Sequence, residues 1–111
     1  MATDNGERHP RHDLDPIVHQ PIRFSILAML VAADEVQFSM IRDVVEVSDS
    51  ALSKQLTILE QAGLTAARKE FAGKYPRTWV RVTAEGREAY AAHLEALRAI
   101  VAVTQPVPSE A

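Results

Sequence analysis

The spacing of apolar positions changes twice along this chain. Through residues 22–62 they recur every three or four residues, after Gly63 they alternate, and from residue 84 the helical spacing returns. Ahead of the first periodic run, residues 1–13 ("MATDNGERHPRHD") are polar and aperiodic, and read as a flexible tail. Asp15 suits an N-cap and Pro16 a first helical position, opening a short turn of helix through Gln20. Pro21 restarts the chain in a second helix, "PIRFSILAMLVAAD". Its residues Ile22, Phe24, Ile26, Leu27, Met29, Leu30 and Val31 cover most of the circumference, which predicts enclosure on several sides. "EVQF" reads as an extended link. Ser39 is the expected cap of a two-turn helix, "SMIRDVVEV", with Met40, Ile41, Val44 and Val45 on one face.

The next stretch, "SDSALSKQLTILEQAGL", is a helix with two unlike sides. Ser48 is a good N-cap, Asp49 places negative charge in the first turn, and Gly63 is the expected stop. Leu52, Leu56 and Leu59 form a core stripe that Ile58 and Ala62 widen, while Ser50, Ser53, Lys54 and Thr57 share the other side. Beyond Gly63, "LTAARKEF" and "RTWVRVT" read as two strands around the turn "AGKYP". Val80 and Val82 fall on one face of the second strand, Trp79 and Arg81 on the other. Helix resumes over residues 84–103, with Thr83 opening a Thr-x-x-Gly pattern as its cap, and residues 104–111 read as a second tail. The fold class is mainly α with a small β-hairpin. A short helix, a tight turn and a second helix followed by a hairpin make a winged helix-turn-helix, one domain over residues 14–103.

Composition narrows the chemistry. The 111 residues suffice for one domain, and at 47% hydrophobic they can bury a modest core. There is no cysteine, which excludes disulfides, thiolate metal sites and cysteine nucleophiles. No apolar run approaches the ~20 residues that span a bilayer and no signal peptide opens the chain, so the expected location is cytoplasmic, with no membrane partner. The net charge of −3 argues at first against a nucleic-acid partner. Its distribution argues the other way. Residues 54–87 hold seven basic and three acidic residues, a local +4, against five and twelve elsewhere, a net −7. Such asymmetry focuses a positive field on one face of a soluble molecule.

A helix fits the major groove of B-form DNA, about 12 Å wide, and short hydroxyl side chains allow close approach. Hydroxyls and Lys bind phosphates or base edges, and Gln pairs with adenine. An ordinary solvated helix face is usually rich in Glu and Lys, and this one is not. Residues 48–62 are therefore the candidate recognition helix, and residues 65–82 a basic wing for the phosphate backbone and minor groove. Candidate DNA contacts are Ser48, Ser50, Ser53, Lys54, Gln55 and Thr57 on the helix, with Lys74, Tyr75 and Arg77 near the hairpin tip. Arg68 has an alternative role, pairing with Glu70 or another acid. Basic residues on the hairpin would also serve simply to guard an exposed sheet edge.

The pattern S-x-L-S-x-x-L-x-x-L-E-x-A-G-L, then a basic hairpin, then V-T-x-x-G-R resembles winged-helix transcriptional regulators of the MarR/ArsR type. It is carried by Ser50, Leu52, Ser53, Leu56, Leu59, Glu60, Ala62, Gly63 and Leu64, then Val82, Thr83, Gly86 and Arg87. Upstream, "LDPIVHQPIRFSILAML" resembles the opening helix of the small MarR-like branch. The resemblance covers roughly residues 14–100. It implies a homodimer on a double-stranded, pseudopalindromic DNA operator, and leaves room for a small-molecule effector that it does not name. A dimer through the terminal helices agrees with Tyr90, Leu94, Leu97 and Val101, a 4-3-4 seam on the last helix suited to a partner helix or to its own domain.

Repression is the expected mode, because a bare domain presents no evident activating surface. ArsR-type metal sensors commonly use cysteine, absent here. Of His9, His12, His19 and His93, the first two lie in the expected tail, and His19 suits a backbone hydrogen bond better than a ligand role. No metal or cofactor is expected. No phosphate loop, paired carboxylates or placed triad points to an enzyme. The competing reading is a winged helix that contacts protein without specific DNA binding. An RNA-binding variant would need exposed aromatics for stacking, and only Trp79 and Tyr75 are placed to serve.

Overall fold

A computed structural model of the protein describes residues 8–104. Most of both expected tails, residues 1–7 and 105–111, lie outside the described residues. Residues 8–13 do not: Pro10–Asp13 form a 3-10 turn in which the His9 Nδ1 accepts the Arg11 amide hydrogen at 3.0 Å. That turn packs on the last helix.

Helix α1 (Pro16–His19) starts as its sequence predicts, with Asp15 Oδ1 accepting from the Ile17 amide at 2.9 Å. Gln20 then caps α2 (Pro21–Ala33), its side-chain oxygen accepting from the Arg23 amide at 2.8 Å. Ile26, Leu27 and Leu30 of α2 are fully buried, and Ile22, Phe24, Met29 and Val31 pack around them, so the helix is enclosed on several sides.

Asp34 leaves α2 with φ at 70°, and the chain then makes more than the extended link its sequence suggested. Strand β1 (Glu35–Gln37) pairs antiparallel with β3 (Tyr75–Val82), Val36 opposite Val80. On its other edge β3 pairs with β2 (Thr65–Ala72), giving a three-stranded antiparallel sheet of order β1-β3-β2. Helix α3 (Phe38–Val45) begins two residues early, with Gln37 as its N-cap in place of Ser39 and no side-chain capping bond, so Ser39 lies inside it. Its inward stripe is Phe38, Ile41 and Val45. Met40 and Val44, expected on that stripe, are exposed, each about 100° round the helix from Ile41 and Val45, which pack inward.

Glu46 ends α3 in the left-handed region, φ 64°, its amide returning to Arg42 O. Two residues later Ser48 caps α4 (Asp49–Gln61), its Oγ accepting from the Ala51 amide at 3.1 Å. Leu52 and Leu59 of α4 are buried, with Leu56 half-buried beside them. Gly63 (φ 79°) and the bond from Leu64 N to Leu59 O close the helix in a Schellman arrangement. Gly73 and Lys74 turn the hairpin.

Thr83 then fixes the start of α5 (Ala84–Thr104) to the end of α4. Its hydroxyl donates to Gly63 O at 2.6 Å and accepts from the Gly86 amide at 2.9 Å. The element order and sheet are those of a winged helix: α3–turn–α4 is the helix-turn-helix, and β2–β3 the wing. Val18, Leu27, Leu30, Ile41, Leu52, Leu59, Leu64, Val80 and Val82 meet in one core under both.

Candidate nucleic-acid interface

Burying Leu52, Leu56 and Leu59 turns the opposite side of α4 outward. Ser50, Ser53, Lys54 and Thr57 are all exposed there, in the four positions that one helical face allows. Ser48 is exposed too, but its Oγ is engaged by the Ala51 amide and lies 3.3 Å from Ser50 Oγ. The Thr57 hydroxyl donates back to Ser53 O at 2.9 Å, which leaves its oxygen as an acceptor.

Gln55 departs from the expected face. It is half-buried, and its Oε1 accepts from Arg23 Nη1 at 2.6 Å. The reason is geometric: position 55 lies about 100° from Lys54, on the side that faces α2. Arg23 also donates through Nε to Ile17 O at 2.6 Å, and through Nη2 to Pro16 O at 3.5 Å. Sequence reading missed Arg23, because nothing local marks an arginine that reaches 32 positions along the chain.

The wing stands beside α4, with a cleft of about 220 Å³ between them. Ser53, Thr57 and Glu60 line it from the helix, and Thr65, Ala67 and Thr78 from the sheet. Tyr75, at the hairpin tip, is 72% exposed. Among the described residues, Lys54, Lys74 and Arg77 make no ion pair, so their charge is available to an incoming anion. Arg77 and Tyr75 share the outer face of β3 with Trp79, and Arg77 borders the start of α3. Lys69, opposite Thr78, and Phe71, 74% exposed and opposite Pro76, are on the face turned to α4. The alternation of β2 carried that assignment, once its register against β3 was known.

Arg68 takes a structural place. It holds Glu35 of β1 through two bonds of 2.9 and 3.0 Å and lies over the Trp79 ring at 5.5 Å. The hydrogen bond from Arg68 holds the Glu35 carboxyl below its ordinary pKa. Trp79 is half-buried, donates from Nε1 to Glu70 at 2.9 Å and carries the Arg68 guanidinium over its ring. Arg42 reaches Asp49 at 3.1 Å and ties α3 to the first turn of α4; hydrogen bonds to Asp43 and Asp49 raise its pKa.

These features are a helix-turn-helix with an exposed polar recognition face, a basic hairpin alongside it, and a core that fixes one against the other. Residues 22–101 match the family described as winged helix DNA-binding domain. The chain belongs to that family.

Among solved structures, this winged-helix chain is similar to a transcriptional regulator homologue from Pyrococcus horikoshii OT3, at 29% identity and TM-score 0.76, over 81% of this chain and 89% of that one. It shares its fold with a MarR-family regulator from Silicibacter pomeroyi, at 23% identity and TM-score 0.60, over 90% and 67%. It also shares it with the PcaV transcriptional regulator from Streptomyces coelicolor, solved with its natural ligand, at 18% identity and TM-score 0.69, over 90% and 70%. No curated protein matches the chain. The family match and these structures show a winged-helix DNA-binding domain and its fold.

The residues of the expected dimer seam differ in their surroundings within the chain. The Tyr90 ring stacks on Phe24 at 5.4 Å within the same chain. Leu94 and Leu97 are half-buried, and Val101 is exposed. Beyond Gly86, the buried α5 residues are His93 and Ala96, 1% and 5% exposed. His93 Nδ1 accepts the Asp15 amide hydrogen at 3.2 Å, which leaves its Nε2–H to donate to His19 Nδ1 at 3.1 Å. His19 therefore bonds to a second imidazole, where a backbone partner was expected. Among the described residues no group of three or more His, Cys, Asp or Glu could hold a metal ion, and no helix is long and apolar enough to cross a membrane.

Proposed function

We propose that this protein is a sequence-specific, double-stranded-DNA-binding transcriptional regulator of MarR type that acts in the cytoplasm as a homodimeric repressor. The observation that carries the reading is the face of α4: Ser50, Ser53, Lys54 and Thr57 point outward together while the leucines of the same helix are buried. Such a face lies in the major groove, with Ser53 and Lys54 near base edges and Ser48, Ser50 and Thr57 against phosphates or bases. Lys74, Arg77 and Tyr75 at the wing tip approach the backbone and minor groove, and Lys69 joins them from the α4 side.

Leu94, Leu97 and Val101 of α5, with the 3-10 turn and α1, supply the surface for a second copy, so that two recognition helices address two half-sites about one helical turn apart. PcaV is solved with its natural ligand; a small-molecule effector of this chain, if it has one, would lie between the terminal helices and the winged core.

The test is a mobility shift on DNA from the protein's own upstream region, titrated with mixed-sequence competitor. A discrete shift that survives competitor supports the reading and yields the operator. Loss of all binding under competitor, repeated on a randomised duplex pool, overturns it in favour of a protein-contact winged helix.

A further inference from the structure

The recognition helix is tied to the N-terminal arm by one side chain. Arg23 of α2 donates to two carbonyls of α1, Ile17 O at 2.6 Å and Pro16 O at 3.5 Å, and with the same guanidinium to Gln55 Oε1 of α4 at 2.6 Å. A one-turn helix leaves such carbonyls without helical partners, so they are ready acceptors. All three partners are neutral oxygens. Among the described residues no carboxylate pairs with Arg23. What the guanidinium supplies is therefore direction: a planar fork, charge-assisted at each bond, whose geometry a flexible ammonium does not reproduce. The N-cap of α1 is fixed in turn, through the Asp15 amide bonded to His93 of α5.

We propose that Arg23 is a positioning residue for DNA reading, which sets the rotation of α4 against α1 through Gln55 and makes the helix's presentation of Ser53 and Lys54 depend on where the N-terminal arm sits. Gln55 then acts as the handle by which the recognition helix is held, rather than as a base-reading side chain. The inference rests on the DNA reading above and adds a specificity residue outside the DNA-facing surface.

The experiment uses the full chain and the duplex it selects from a randomised pool, with a mixed-sequence duplex of equal length as the non-specific probe. Affinities for both, and thermal unfolding, are measured for wild type, Arg23→Lys, Gln55→Ala, Gln55→Glu and the Arg23→Lys/Gln55→Ala pair. The expected result is about a tenfold loss on the selected duplex for Arg23→Lys and for Gln55→Ala, with the mixed-sequence affinity unchanged within about twofold. The double variant should lose no more than either single one, because both break one connection. Gln55→Glu keeps an acceptor for Arg23 and should retain the selected-duplex affinity within about threefold. Multiplying losses in the double variant, or losses equal on both duplexes, overturn the positioning role while leaving the DNA reading intact. So does Arg23→Lys binding like wild type. A wild type that selects no sequence from the pool overturns the DNA reading and this inference with it.

Discussion

Gly86 lies directly against the backbone of Leu64: a Cβ built on Gly86 would be 2.1 Å from the Leu64 carbonyl oxygen and 2.7 Å from a methyl of Val82. The first turn of α5 thus rests on the segment that leaves α4, and Thr83 bonds both from the same corner. Since the obstacle is backbone, it cannot swing aside. Gly86→Ala should destabilise the protein by about 2 kcal/mol or more, read from urea unfolding. Gly73→Ala is the comparison. Its space is open, so only the cost of a positive φ applies, about 1–2 kcal/mol. Equal, small effects at both positions would show that α5 does not pack as described.

His93 gives stability a pH dependence of known sign. Burial, then the nearby His19, lowers its pKa below 6.5, opposed only by Asp15. The unfolded chain therefore binds more protons as pH falls below 6.5, and stability declines with it until the folded-state pKa is passed. Protonating Nδ1 also removes the acceptor of the Asp15 amide. Thermal melts from about pH 7.5 to about pH 5.5 should show a larger fall in Tm for wild type than for His93→Gln, whose amide oxygen can still accept that bond. Identical falls would place the sensitivity elsewhere.

The two halves of the proposed interface should behave differently. Lys74→Ala and Arg77→Ala should weaken binding to all duplexes alike and flatten the salt dependence, which for several phosphate contacts per dimer is roughly a 10³-fold loss between about 50 and 200 mM salt. Ser53→Ala should instead change the preferred sequence, by about 1–3 kcal/mol at the affected base pair. Competition binding against single-base variants of the selected duplex separates the two, and a reversed pattern would exchange the roles of helix and wing.

Leu94→Glu with Leu97→Glu should halve the mass measured by light scattering at micromolar concentration, if α5 carries the proposed dimer, since charge placed in an apolar helix seam is not easily solvated there. Tyr90→Phe should leave the mass unchanged, because that ring stacks on Phe24 of its own chain. A wild type of single-chain mass would remove the homodimer.

The features legible from sequence alone were those made by neighbours along the chain. Asp15 before Pro16, Ser48 before α4, Gly63 after it and Thr83 three residues before Gly86 each satisfy or accommodate backbone within one turn, so their meaning travels with the local pattern. The 3.6-residue spacing of Leu52, Leu56 and Leu59 likewise fixed which side of α4 faces outward, and with it Ser50, Ser53, Lys54 and Thr57. What folding decided was every relation between distant segments. Three residues at Glu35–Gln37 are too short to signal a strand and become one only because β3 offers its edge. Met40 and Val44 satisfy the same helical period as Ile41 and Val45, and the packing of the core chooses between them. Gln55 meets Arg23 from 32 positions away, Arg68 meets Glu35 from 33, and His93 meets Asp15 from 78. A polar side chain at such a place carries no periodic signal. Its partner is set by which helices the core brings side by side, and that is a property of the packed structure alone.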